Sequence, residues 1–265
     1  MKIFYFFLFF LSLFLVSCAT TQRVKVPNNR PLSKAIKSHG GKKYPTAAIE
    51  FEFRKGKYSF QNNYGNYRYT STKMKDGQKI VDVLTNEGFT RYIDGVEQNL
   101  LSKDALKFGN SLNSVIYFAQ LPYKLDDPAV TQKEIGTTTI KGKSYKLVEV
   151  TFAEEGGGTD YDDTYYYWIN QKTHLIDYLA YNFHVNGGGV RFRSAYNPRK
   201  VGGIHFQDYI NYKADKGTPL ADLPELYEKG QLKELSKIEL AHIRVMKLGA
   251  LQPLFSLVAL DHEWF

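Results

Sequence analysis

His184, Arg191, Arg193, His205 and Tyr209, with Asp208 beside them, are the residues of this chain whose types and spacing could do chemistry. They fall in three strand-like segments, Leu175 to Asn186, Val190 to Tyr196 and a stretch around Ile204 to Tyr212. Period-two alternation sets His184, Arg191, Arg193, His205 and Tyr209 on one face. Histidine and arginine together can hold a phosphate or a carboxylate, arginine through paired N–H donors and histidine through a charge that switches near neutrality. The plainer reading is a solvated sheet face with hydrogen-bonded polar residues. It takes precedence, because polar side chains on the wet side of an antiparallel sheet need no special reason.

The other candidates are weaker. Glu154, Glu155, Asp160, Asp162 and Asp163 surround Gly156-Gly157-Gly158. These are oxygen ligands of the kind calcium takes, but their spacing is not that of an EF-hand loop, and the segment reads as a solvated hairpin. The chain contains no P-loop, no H-E-x-x-H and no G-x-S-x-G. An aldolase-type lysine would need a buried site, and in a barrel enzyme strands alternating with helices, whereas hairpins dominate here. No catalytic residue, metal ligand or cofactor is therefore expected.

The single cysteine has a different use. Cys18 closes the box Leu15-Val16-Ser17-Cys18, after an apolar run from Ile3 to Val16 that follows one charge, Lys2. The run suits a signal peptide and falls short of the roughly 20 residues of a membrane span. Cleavage before Cys18 and acylation of its thiol would account for an odd cysteine in an exported chain. Residues 1–17 are read as the signal peptide and 18–31 as a tether. Each buried methylene of an acyl chain contributes about 0.8 kcal/mol, so two or more chains hold firmly at a bilayer. Arg23, Lys25, Arg30, Lys34, Lys37, Lys42 and Lys43 follow with no acid before Glu50. They form either a surface-seeking leader or an ordinary solvated linker. Net charge is +8, yet no nucleic-acid recognition motif is present, and nucleic acid is not expected as a partner.

The elements that must position the polar face are mostly strands. Pro31 to His39 reads as a short helix with Leu32, Ala35, Ile36 and His39 on one stripe and Gly40 closing it. Ala47, Ile49, Phe51 and Phe53 then alternate with polar partners, and Asp76-Gly77 marks a hairpin. One long helix follows, with Ser102 as N-cap, Leu101 and Leu106 at staple positions, and Pro122 beyond its end. Its stripe includes Phe108, Leu112 and Ile116. It is expected to lie across a sheet, packed in the core or roofing a ligand cavity. Strands resume from Gly136. A turn at Gly188-Gly189 would set Phe183, Val185, Val190 and Phe192 on one face, with Asn182, His184, Arg191 and Arg193 opposite. A slip by one residue would put arginines among aromatics, which burial penalises. Phe206 continues the apolar face. Leu220 to Lys229 is a short helix and Lys237 to Val245 a closing strand. Residues 246–265 contain apolar Leu254 to Leu260, too short for a span.

Several stretches resemble an uncharacterised family of Bacteroidota lipoproteins. They are the Leu15–Cys18 box; Ser38-His39-Gly40-Gly41 with Phe51-Glu52-Phe53-Arg54; Ala180-Tyr181; Gly188-Gly189-Val190-Arg191-Phe192-Arg193; and Asp208-Tyr209-Ile210-Asn211-Tyr212. The likeness spans Leu32 to about Val245, and the tail departs from it. The resemblance implies an architecture similar to the LolA and LolB lipoprotein carriers. That is a mainly β (α+β) domain over 32–245: a curved antiparallel half-barrel covered on its concave side by one long and one or two short helices. It implies a non-catalytic lipoprotein anchored in the outer membrane through Cys18 and facing the periplasm. Such a protein would hold a lipid or other apolar ligand against Phe108, Leu112, Ile116, Phe183, Phe192 and Phe206. The alternative is an envelope scaffold with a solid core, binding protein or glycan. A hydrolase using the His/Arg face comes third.

Overall fold

The computed structural model describes residues 30–156, 158, 161–184 and 187–247. Cys18, Arg23 and Lys25 of the basic leader, Val185 and the Leu254–Leu260 stretch lie outside the described residues.

The chain is mainly β, as two seven-stranded antiparallel sheets. The first holds β1 (Ala47–Phe53), β2 (Gly56–Asn63), β3 (Asn66–Lys75), β4 (Gln78–Thr85), β5 (Gly88–Ile93) and β6 (Val96–Glu97) in sequence order. The second holds β7 (Val130–Ile140), β8 (Lys143–Phe152), β9 (Tyr165–Asn170), β10 (Ile176–Phe183), β11 (Gly189–Val201), β12 (Ile204–Ala214) and β13 (Lys233–Ile238), likewise in order. The last strand, β14 (Ala241–Lys247), returns to the first sheet and pairs with β1. Tight hairpins make this meander. At Asp76-Gly77 both residues have positive φ, 52° and 80°, as a type I′ turn requires.

The closing segment therefore differs from the single strand Lys237 to Val245 expected above. It is two strands in two sheets, broken at Glu239-Leu240. The break is held by Asp208, whose Oδ1 accepts the Leu240 N–H at 3.0 Å and an Arg199 N–H at 2.9 Å.

Helix α2 (Ser102–Ala119) lies on the first sheet. Gly109, Leu112, Ile116 and Ala119 are its buried residues. Leu112 and Ile116 pack with Ile49, Phe51, Phe60 and Tyr69, and with Ile204 and Phe206 of β12. Burial of each such side chain contributes about 1.5–3 kcal/mol. The N-cap is Leu101 rather than Ser102, without a side-chain hydrogen bond, and Leu101 and Leu106 are both exposed. No staple forms, because the helix starts one residue earlier than the cap chemistry suggested. At the other end Asn62 Nδ2 donates to Gln120 Oε1 at 2.8 Å, tying the helix terminus to β2.

The second sheet is covered on both faces. On its inner face, α1 (Ser33–Ser38) and the segment after α2 pack Leu32, Ala35, Leu121 and Leu125 against Val148, Val150, Tyr167, Ile169 and Leu179. On its outer face, α3 (Leu223–Glu228) covers Trp168, Tyr178, Ala180, Val190 and Phe192. One short helix thus sits on the side opposite the other two, because β9 is aromatic at consecutive positions and both its faces need a cover. Gly40 seats α1. Its φ is +97°, and a Cβ there would lie 2.8 Å from Gly203 O in the β11–β12 turn. Glycine is the residue that tolerates both.

The register of β10 on β11 differs from the expected one. Asn182 faces Val190, Ala180 faces Phe192 and Leu179 faces Arg193. Phe183 thus shares the face of Arg191 and Arg193, opposite to Val190 and Phe192. This is the slip by one residue that burial was expected to forbid.

Candidate functional site

The slip brings Arg193 inside. Paired with Leu179 on β10 and Asn211 on β12, it points to the inner face of the second sheet and is only 7% exposed. The face read as wet is the one that α1 and α2 cover. Arg193 is accommodated by aromatic rings. Its guanidinium lies 4.1 Å from the Phe118 ring centroid and 5.3 Å from that of Tyr181, and one N–H donates to Tyr181 Oη at 3.0 Å. Cation–π contacts of this kind contribute about 0.5–2 kcal/mol each.

Beside Arg193 the rings form a closed circuit. Tyr117 lies 6.3 Å from Phe152, Phe152 5.6 Å from Tyr165, Tyr165 5.3 Å from Tyr181, Tyr181 6.0 Å from Phe118, and Phe118 6.3 Å from Tyr117. All five are partly exposed. Phe183 extends the seam at 6.2 Å from Tyr181, with the Arg191 guanidinium 4.7 Å over its ring. The floor is polar but unsatisfied. The hydroxyls of Tyr117 and Tyr167 and the Nε of Arg193 are buried with no hydrogen-bond partner among the described residues. Burial pushes both phenols well above their ordinary range, and at Tyr167 the nearby Arg193 charge offsets part of that rise. At neutral pH they are O–H donors.

The remaining predicted residues part company. Tyr209 is on the inner face, 9% exposed, its hydroxyl accepting from Gln207 Nε2 at 2.6 Å; burial raises its pKa to about 12. His205 lies edge-on to His39 at 4.9 Å, with its Nε2 3.1 Å from Gln207 Oε1. His184 leaves this face. Its Nδ1 is 3.3 Å from Asp162 Oδ2 and 3.3 Å from Asp163 Oδ1, at an exposed corner. The three ligand atoms lie within 4.8 Å of one another. The apolar candidates do not line one space either. Leu112, Ile116 and Phe206 are in the core under α2. Phe108 stacks on Arg91 at 3.6 Å. Phe192 is beneath α3. Only Phe183 reaches the aromatic seam.

Tyr117, Phe118, Phe152, Tyr165 and Tyr181 were not among the candidate site residues read from the sequence, Tyr181 entering only through the Ala180-Tyr181 motif of the resemblance. A signal existed at the end of α2, where Val115 to Ala119 is apolar or aromatic at every position and so faces two surfaces. A cleft of about 170 Å³ opens elsewhere, beside Lys143, Asn170, Asp177, Tyr196 and Gln207. A second, of about 20 Å³, has room for one water between His39, Phe118, His205 and Tyr209. Both are smaller than the roughly 300 Å³ of a small-molecule pocket.

A family profile described as a family of unknown function (DUF6503) matches residues 4–240. Among curated proteins no sequence matches the chain. Among solved structures, the fold is similar to a LolA superfamily protein from Nitrosomonas europaea, at 14% identity and a TM-score of 0.47 over 83% of this chain and 93% of that one. It is also similar to a DUF1329 family protein from Desulfovibrio piger, at 10% identity and a TM-score of 0.44 over 84% and 94%.

Proposed function

The chain belongs to DUF6503, a family of unknown function, and from that premise we propose that it is a non-catalytic, lipid-anchored envelope protein that binds an apolar ligand. The anchor is Cys18, in the outer membrane and facing the periplasm. The ligand lies along the aromatic seam where the end of α2 meets the inner face of the second sheet. One observation carries this reading: five partly exposed rings form a closed circuit on the face that the fold turns inward, with Arg193 against two of them, Phe118 and Tyr181. Partly exposed rings gathered in one patch, rather than scattered, offer an apolar surface that a ligand can cover.

Acyl binding is the test. The chain carrying Cys18→Ser is expected to retain a co-purified acyl mass in native mass spectrometry or to bind a fluorescent fatty acid. Phe118→Ala with Phe152→Ala should weaken the probe about tenfold or more, since each ring buries about 1.5–3 kcal/mol of apolar surface. Pinning α2 to β5 gives the location. A Cβ on Gly109 would lie 3.5 Å from that of Phe89, within disulfide reach. Oxidised Gly109→Cys/Phe89→Cys should bind as the wild type does, because the seam is away from that contact. Loss of binding on oxidation would instead place the ligand beneath α2, among Leu112 and Ile116.

The small clefts favour a second reading, an envelope scaffold with a solid core that binds protein or glycan. A folded protein that carries no acyl mass and binds no acyl probe would establish that reading over the first.

A further inference from the structure

The seam has a polar floor that an apolar ligand alone leaves unexplained. Arg193 is a buried cation, and among the described residues no carboxylate pairs with it. Its hydrogen bond goes to the neutral hydroxyl of Tyr181, and its Nε has no acceptor. The hydroxyls of Tyr117 and Tyr167 are in the same condition. Tyr167 and Arg193 pair with Leu179 of β10 from its two sides, on one face, and Tyr117 packs on the cluster that contains Tyr167 and Leu179. A desolvated guanidinium without a counter-charge is costly, and an apolar residue of similar length would pack here without that cost. Three of the unpartnered groups on this face can donate, against one buried acceptor, Asn211 Oδ1 opposite Arg193, so donors are in excess.

We propose that Arg193, with the hydroxyls of Tyr117 and Tyr167, is a receptor for the anionic end, a carboxylate or phosphate, of the molecule bound along the seam. This rests on the acyl-binding reading above and adds the chemistry of the ligand's head. The guanidinium supplies the charge and a donor, the two phenols supply donors that stay protonated, and the ring of aromatics takes the chain. Phe118 and Tyr181, which flank Arg193, are each partly exposed. Arg191 over Phe183 stands further along the same face.

Calorimetric titration of the full chain carrying Cys18→Ser tests this with four probes: palmitate, a lysophosphatidate, hexadecanol and inorganic phosphate. Palmitate or lysophosphatidate should bind at least about tenfold more tightly than hexadecanol, the gain expected of charge-assisted hydrogen bonds. Arg193→Met should bring the anionic lipid down to the hexadecanol level and leave hexadecanol unchanged. Should Arg193→Met not fold, Tyr117→Phe with Tyr167→Phe removes two donors without changing volume, and should weaken the anionic lipid selectively. Equal binding of palmitate, lysophosphatidate and hexadecanol by the wild type overturns the proposal, as does an Arg193→Met protein that still prefers the anion. If no acyl probe binds but phosphate binds the wild type and not Arg193→Met, the anion receptor stands and the acyl reading falls. If neither acyl probe nor phosphate binds, both fall.

Discussion

Asp208→Ala is expected to destabilise the protein by about 3–5 kcal/mol, the loss typical of removing one partner from a buried ion pair. Asp208 is 3% exposed and fully engaged. Its Oδ1 accepts from Arg199 Nη2 at 2.9 Å and from the Leu240 backbone at 3.0 Å, and its Oδ2 accepts from Asn197 Nδ2 at 2.7 Å. Arg199 also donates to the Leu240 carbonyl. Alanine would strand a guanidinium that is largely buried and a backbone N–H that has no other acceptor among the described residues. The place matters as much as the pair. Leu240 is where the chain leaves the second sheet and enters the first, so the loss should loosen β14 from β1. Urea unfolding of the wild type, Asp208→Asn and Asp208→Ala measures this, with asparagine intermediate because it keeps the shape and one acceptor. A loss below about 1 kcal/mol for alanine would mean that water replaces the carboxylate and that the crossing is not held here.

Acidification from pH 7 to pH 4 is expected to cost about 3 kcal/mol of stability through one side chain, His39. His39 is 2% exposed at the end of α1. Its Nε2 accepts the Ile176 N–H at 3.2 Å, and the His205 ring stands against it at 4.9 Å. Burial, and then the charge of His205, lower its pKa from 6.5 to about 3. The unfolded chain therefore binds a proton that the folded one refuses between those values. Stability is full above pH 6.5 and falls as pH drops toward 3, because protonation favours the unfolded state. Replacement by glutamine keeps an acceptor for Ile176 without a titrating ring. The difference in unfolding free energy between wild type and His39→Gln should narrow or reverse across this window. A difference that stays constant from pH 7 to pH 4 would show that His39 can charge in place, beside Gln207 and the one-water cleft. Carboxylates that protonate in the same range affect both proteins alike, so the comparison isolates the imidazole.

The strands were legible because their signals are local. The strand Ala47–Phe53, the Asp76-Gly77 turn and the stripe from Gly109 to Ala119 each rest on signals within a few residues and appear where expected, although Ala48 on the other face of that strand is also buried. The packing of Leu32, Ala35 and His39 on one side of α1 was equally readable. The slip at β10–β11 was not. Register is strongly specified when one face is dry and the other wet. Here α1 and α2 cover one face of the second sheet and α3 the other, so neither alternative exposes an apolar set to water. The cost assigned to burying Arg193 was real, but Phe118 and Tyr181 meet it, and one of those rings comes from a helix some 75 residues earlier in the chain.

The same division holds for the candidate site. From residue types and spacing alone came a mainly β domain, one long helix, a single cysteine at an expected cleavage box, the absence of the common catalytic motifs, and Arg191, Arg193 and Tyr209 as candidates on one polar face. Tertiary structure alone decided that the polar face is the interior one, that His184 leaves it for Asp162 and Asp163, and that the last strands belong to different sheets. Periodicity states that two faces differ but not which of them is covered. Covering is a long-range choice, made when α1, the end of α2 and α3 each bury their own apolar side against whichever face of the sheet accepts it.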